Sequence, residues 1–112
     1  LYISGIISTN ARTLALGHTL GLQTMLHVFA ADSAGLESVV ETLRTTHIDL
    51  VEVSPALVIP HIASDLHRLF SVPVIGSGLV ATRKQINAIL NTGISGVAIT
   101  IDETKTELLT LY

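Results

Sequence analysis

Cysteine and tryptophan are absent from this 112-residue chain, and two tyrosines and two phenylalanines are all its aromatics. Without cysteine there is no disulfide framework and no thiolate chemistry. Charge is scarce as well. Asp, Glu, Lys and Arg make up 13% of the residues, against about 25% in ordinary soluble domains. The net charge is −3, and the longest basic run is Arg83-Lys84. A strong, non-specific nucleic-acid binder needs a positive footprint, so the charge balance argues against that class. RNA recognition through a local site or an oligomer stays open. No apolar run reaches the roughly 18 residues of a membrane span. No signal-peptide pattern is present, so no membrane partner is expected and the cytoplasm is the expected compartment.

What is present is aliphatic: 48% of the residues are hydrophobic. A chain this short exposes a large fraction of its surface, and it has little charge to cover it. Some surfaces are therefore expected to be covered, by a partner subunit or by a further part of the same fold. The chain opens on Leu1, and strand character begins at Tyr2. The expectation is a single α/β domain over 1–112 that forms the C-terminal portion of a longer protein.

Residues 2–8 are rich in β-branched side chains and read as a strand, and Thr9-Asn10 is a helix start signal. Ala11, Leu14, Ala15 and Leu20 recur at helical spacing before the stop at Gly21. A second buried strand covers 24–30. Asp32-Ser33 then caps a helix with Leu36, Val39, Val40 and Leu43 on one face. A third strand spans 49–54 and ends at Pro55. Ile59-Pro60 opens a helix that turns Ile62, Leu66, Leu69 and Phe70 inward. Val74-Ile75 ends a fourth strand, and Thr82 caps a helix that turns Ile86, Ile89 and Leu90 inward. A fifth strand covers 96–101, and a short final helix is expected over 102–112.

Strand and helix thus alternate every 22 to 24 residues or about that, the pattern of a parallel sheet with helical cover. The strands are nearly continuous apolar runs, as strands buried on both faces are. Two architectures fit. One is a (β/α) TIM-type barrel, of which this chain supplies about the last five β-α units; a whole barrel takes about 250 residues. The alternative is an open five-stranded parallel sheet. In both, ligands meet the C-terminal ends of the strands.

Gly76-Ser77-Gly78-Leu79, between strand four and helix four, has the form of an anion site. A strand running into a glycine turn and a helix N-terminus aims backbone N–H groups and the helix dipole outward. The plain alternative is a tight turn that needs glycine. In a barrel, the loops after the last two strands frequently hold phosphate, and these are the turn at 76–79 and the end of strand five at Thr100. Glu52, inside an apolar strand, is a candidate ligand contact, because carboxylates are seldom fully buried unless paired; the alternative is a helix-capping or edge position. His27 reads first as a hydrogen-bonded core or rim residue, and Asp32 first as an N-cap, with contact to a ligand as the second reading of each. His61 and His67 are six apart, the wrong spacing for two ligands on one helical face. No metal site, Walker motif, nucleophile with an adjoining base or paired carboxylates can be named, so the chain is expected not to be an enzyme.

Gly5-Ile6-Ile7-Ser8-Thr9, Phe29 with Asp32-Ser33, Val51-Glu52-Val53 with Pro55 and Pro60, and Pro73-Val74-Ile75-Gly76-Ser77-Gly78-Leu79-Val80 follow one another in a telling order. Order and spacing resemble the C-terminal part of the glycerol-3-phosphate-responsive antiterminator family, from about residue 3 to 100. The resemblance implies a compact (β/α) barrel without demonstrated catalysis that binds glycerol 3-phosphate and acts on a leader mRNA to prevent premature termination; no cofactor is expected. By position it assigns Gly76, Gly78 and Leu79 to the phosphate-side turn, and Ser8, Thr9, Asp32 and Glu52 to the ligand mouth; the reading of the residues adds Ser77 and Thr100 to the phosphate side and His27 to the mouth. The chain departs from the family in four places. Leu26-His27 stands where Gln-Arg is usual, Gly76-Ser77-Gly78-Leu79-Val80 where Gly-Gly-Leu-Ile is usual, and Ala98-Ile99-Thr100 where Ser-Thr-Ser is usual; the family's C-terminal tryptophan is missing.

The reading of the sequence is therefore a transcription antitermination regulator that binds leader mRNA in response to a small phosphorylated polyol. It is expected as a homo-oligomer or with a further N-terminal segment. The alternatives are a phosphosugar-binding barrel enzyme of isomerase, aldolase or synthase type, with Glu52 as its acid or base, and an interaction module without ligand.

Overall fold

The computed structural model describes residues 3–30 and 33–100. Five strands, β1 (Gly5–Ser8), β2 (Gln23–Phe29), β3 (Leu50–Ser54), β4 (Val74–Ser77) and β5 (Gly96–Ala98), alternate with four helices. These are α1 (Ala11–Thr19), α2 (Ser33–Thr45), α3 (Ile59–Leu69) and α4 (Arg83–Leu90), and a short 3₁₀ turn at Ala56–Val58 leads into α3. All strands are parallel, in the order β1-β2-β3-β4-β5. The architecture is α/β with an open five-stranded parallel sheet. Among the described residues, no helix is long and apolar enough to cross a membrane. Asp32 and the final helix expected over 102–112 lie outside the described residues, as does Ile101 of the expected fifth strand.

The strand order never reverses. Parallel crossovers are right-handed, so each turns its helix to the same side of the sheet. The molecule is accordingly a plate, 40 × 38 × 19 Å, of one sheet and one helical layer. Ile6, Leu26, Val28, Val51, Val53 and Val74 face the helices and pack with Leu14, Leu36, Ile59, Leu66, Ile86 and Ile89. Each such buried aliphatic side chain contributes about 1.5–3 kcal/mol. The continuous apolar strands lead one to expect cover on both faces, and here the structure corrects the sequence reading. The strands alternate, because only one face has helices. Ile7 and Phe29, on the other face, are 55% and 66% exposed.

The capping signals fall where they act. Asn10 Oδ1 accepts from the N–H groups of Arg12 (2.9 Å) and Thr13 (3.2 Å), closing the first turn of α1. Within α1 the buried residues are Leu14 and Gly17, whereas Ala15 and Leu20 of the periodic set face solvent. Gly17 brings the helix down onto the sheet: a Cβ there would stand 2.7 Å from Ile6 Cγ2. Leu90 is also more exposed, at 38%, than its periodicity implies.

Asp49, expected to open strand three, sits just before β3 and clamps the N-terminal ends of two strands. Its Oδ2 accepts from the Thr24 backbone N–H at 2.8 Å and from Thr24 Oγ1 at 3.3 Å, while Oδ1 lies 2.9 Å from His47 Nε2. These bonds, that of the Thr24 N–H first and that of His47 second, hold its carboxyl below the usual carboxylate range. His47 in turn stacks on His18 near the end of α1, with ring centroids 4.1 Å apart.

Candidate functional site

The β4–α4 turn and the end of β5 flank a half-open cavity of about 440 Å³ at the C-terminal ends of the strands. Ser77, Gly78, Leu79, Val80 and Ala81 line one side, and Ala98, Ile99 and Thr100 the other. Four of the five phosphate-side residues expected from the sequence (Ser77, Gly78, Leu79 and Thr100) thus meet in one place. Gly76 is the exception. It lies inside β4, turned to the helical layer, where a Cβ would come within 2.5 Å of Ile59 Cδ1 and 3.0 Å of Ala56 Cβ. Its glycine serves close packing of α3 on the sheet.

The turn itself is built from two successive residues of positive φ, Gly78 at 92° and Leu79 at 59°. For leucine this left-handed conformation costs about 1–2 kcal/mol. Leu79 spends its side chain on no burial, being 71% exposed at the rim of the cavity. The Gly78 carbonyl accepts from the Ala56 N–H at 3.1 Å, which ties the turn to the segment after β3. Ser54 lies on the same side: its Oγ would be 3.0 Å from a Cβ at Gly78.

Helix α4 follows with the cap that the sequence announces. Gln85 N–H donates to Thr82 Oγ1 at 3.2 Å, and the N–H groups of Ala81 and Thr82 donate to Gln85 Oε1 at 2.8 and 3.1 Å. The capping box therefore engages three N–H groups at this helix end, those of Ala81, Thr82 and Gln85. The positive end of the helix dipole, with Arg83 and Lys84 exposed in the first turn of α4, follows one residue after Ala81 of the cavity lining.

The mouth residues are spread along the sheet. Ser8 Oγ accepts from the Asn10 N–H at 3.0 Å, at the end of β1, and Thr9 is exposed beside it. From there to the end of β5 the sheet is four strand spacings wide, about 19 Å. An open sheet therefore keeps Ser8 and Thr9 away from Ser77 and Thr100, and the single mouth expected around all of them is not formed by these strands.

His27 and Glu52, in contrast, come together. They are opposite each other in the β2–β3 register, and His27 Nδ1 lies 2.5 Å from Glu52 Oε1. Both point to the face without helices, their side chains 32% and 17% exposed. A carboxylate only accepts, so Nδ1 carries the hydrogen between them. In the structure each residue lies two positions before the end of its strand; the strand bounds read from the sequence, 24–30 and 49–54, place His27 three positions and Glu52 two before the end, so the pairing needed the observed register. The Asp49–Thr24–His47 clamp carried no signal in the sequence either, because it joins a loop to a neighbouring strand's first turn. Among the described residues, no buried side-chain nitrogen or oxygen lacks a hydrogen-bond partner.

Comparison with known proteins bears on the whole chain. A glycerol uptake operon antiterminator regulatory protein from Listeria monocytogenes str. 4b F2365 superposes with a TM-score of 0.79 at 22% identity, over 89% of this chain and 54% of that one. A glycerol uptake operon antiterminator-related protein from Thermotoga maritima MSB8 superposes with a TM-score of 0.76 at 29% identity, over 96% of this chain and 58% of that one. The chain therefore spans a little over half the length of these solved relatives. A search of curated proteins gave no match. Residues 1–104 match the family of glycerol-3-phosphate responsive antiterminators, and this coverage, with the sheet order and the turn after β4, assigns the chain: it belongs to the glycerol-3-phosphate responsive antiterminator family.

Proposed function

We propose that this chain is a ligand-responsive part of an antitermination regulator of glycerol genes. In this reading glycerol 3-phosphate places its phosphate in the cavity between 77–81 and 98–100, and the liganded form binds a leader mRNA more tightly. The five strands and four helices form one sector of a TIM-type barrel, and the helix-free face of the sheet is the sector's inner side. The observation that carries the reading is the coincidence of two things: a family match over residues 1–104, and a cavity at the end of β4 lined by the turn that the match includes.

The coupling is a linkage. A ligand that binds one state better raises that state's population, and RNA that prefers the same state then binds with the same gain. The chain's charge of −3 means that RNA is held by a local site, such as one that includes Arg83 and Lys84.

Thermal unfolding in low salt, with and without glycerol 3-phosphate, tests the ligand half. At 100 times its Kd a specific ligand adds about 2.7 kcal/mol of stability. An unchanged melting curve over that range overturns it. Titration of a leader RNA with the liganded and unliganded chain tests the other half, and equal affinities in both overturn the coupling.

A further inference from the structure

We propose that the His27–Glu52 pair reads the hydroxyl groups of a three-carbon polyol phosphate whose phosphate occupies the cavity above β4 and β5. The inference rests on the reading that this cavity takes the phosphate, and it adds what selects the rest of the molecule.

The pair has the chemistry that a polyol requires. Hydroxyl groups need an acceptor in a place where water does not compete freely. Glu52 offers more lone pairs than one imidazole N–H can use, and its side chain is 17% exposed: desolvated in part, yet reachable from the open face. His27 holds the carboxylate in a fixed rotamer at 2.5 Å, so less freedom is lost when a ligand binds. The neighbours on the same face, Leu50, Met25 and Ile75, are half-buried and apolar. On this side of the pair they offer a ligand no rival acceptor, and hydrogen bonds gain strength in such surroundings; the hydroxyl-bearing residues of the two strands, Ser54 and Ser77, lie toward the cavity.

The pair also stands at the right distance. Glu52 is opposite Ile75 of β4, and Ser77 lies two residues further along the same strand, at the cavity's edge. One strand spacing across and two residues along place the Glu52 and Ser77 backbones about 8 Å apart. A glycerol phosphate spans that gap, with phosphate at the turn and hydroxyls over Glu52.

The alternative is that the two side chains only satisfy each other on a face that something else covers. Calorimetric titration of the full chain separates the readings, with glycerol 3-phosphate, n-propyl phosphate (which lacks both hydroxyls) and inorganic phosphate as probes. For the wild type, glycerol 3-phosphate is expected to bind more tightly than n-propyl phosphate. Glu52→Gln should weaken glycerol 3-phosphate about 10- to 100-fold, the loss typical of a hydrogen bond to a charged group, and leave n-propyl phosphate unchanged. His27→Gln, whose amide still donates to Glu52, should retain more affinity than His27→Ala. Equal losses for both esters would mean a structural pair and overturn the inference. Equal wild-type affinities for the two esters would overturn it without any variant, which keeps the test decisive if Glu52→Gln does not fold. If the wild type binds none of the three probes, inorganic phosphate included, the phosphate cavity itself falls, and the reading of the pair falls with it.

Discussion

Gly76 packs against Ile59, and the contact is so close that a methyl group on the glycine would stand 2.5 Å from Ile59 Cδ1. One glycine of Gly76-Ser77-Gly78 thus serves the helix–sheet interface, whereas the other shapes the turn. Ala56 Cβ, at 3.0 Å, closes the remaining room, and both neighbours are fully buried. Gly76→Ala should destabilise by about 1–3 kcal/mol, the usual cost of overpacking a core. Urea unfolding measures it. The folded fraction should keep its affinity for phosphate compounds, since this residue does not line the cavity.

The neighbouring turn predicts opposite signs for two substitutions. Gly78→Ala puts a side chain at φ 92° and against Ser54 Oγ, so a loss of about 1–2 kcal/mol is expected. Leu79→Gly removes the cost of a left-handed leucine and gives up little packing. Part of the gain is offset by the greater freedom of glycine in the unfolded chain. The net should be a stabilisation of up to about 1 kcal/mol in the same unfolding experiment, and Leu79→Val should lose stability.

Asp49 makes stability depend on acid. Its carboxyl titrates below the ordinary 3.8 in the folded chain, so the folded state favours the charged form. That contribution is fully present above the unfolded value and is lost as pH falls through the folded one. Asp49→Asn should therefore be less stable than the wild type at neutral pH, and the gap should narrow below about pH 4. Denaturant midpoints at pH 7 and pH 3 check this. A gap of constant size would remove the clamp as the source.

The capping box offers a local test. Thr82→Ala frees the Gln85 N–H, and a lost N-cap costs about 0.5–2 kcal/mol. Hydrogen exchange should quicken first in the initial turn of α4, between Arg83 and Asn87.

The open face should also show itself. Ile7 and Phe29 are large, apolar and more than half exposed, on a sheet whose outer strand edges, β1 and β5, have no further strand beside them among the described residues. The isolated chain is expected to self-associate through this face, and Phe29→Ser should reduce the association in concentration-dependent light scattering. A monodisperse monomer at all concentrations would contradict it.

Much of this protein was legible in the residues. Strand and helix alternation, the caps at Asn10 and Thr82, the turn at Gly78 and the family all follow from local chemistry: β-branched runs, amphipathic spacing, capping side chains and glycine where φ is positive. These are properties of a few consecutive residues, so the sequence by itself determined them. Tertiary structure decided the rest. Only the sequential strand order shows that the helices lie on one side and leave Phe29 in solvent. Only the β2–β3 register brings His27 to Glu52 across 25 positions. Only the packing of α3 separates Gly76 from Gly78 in role, because what a glycine is for depends on what stands where its side chain would be.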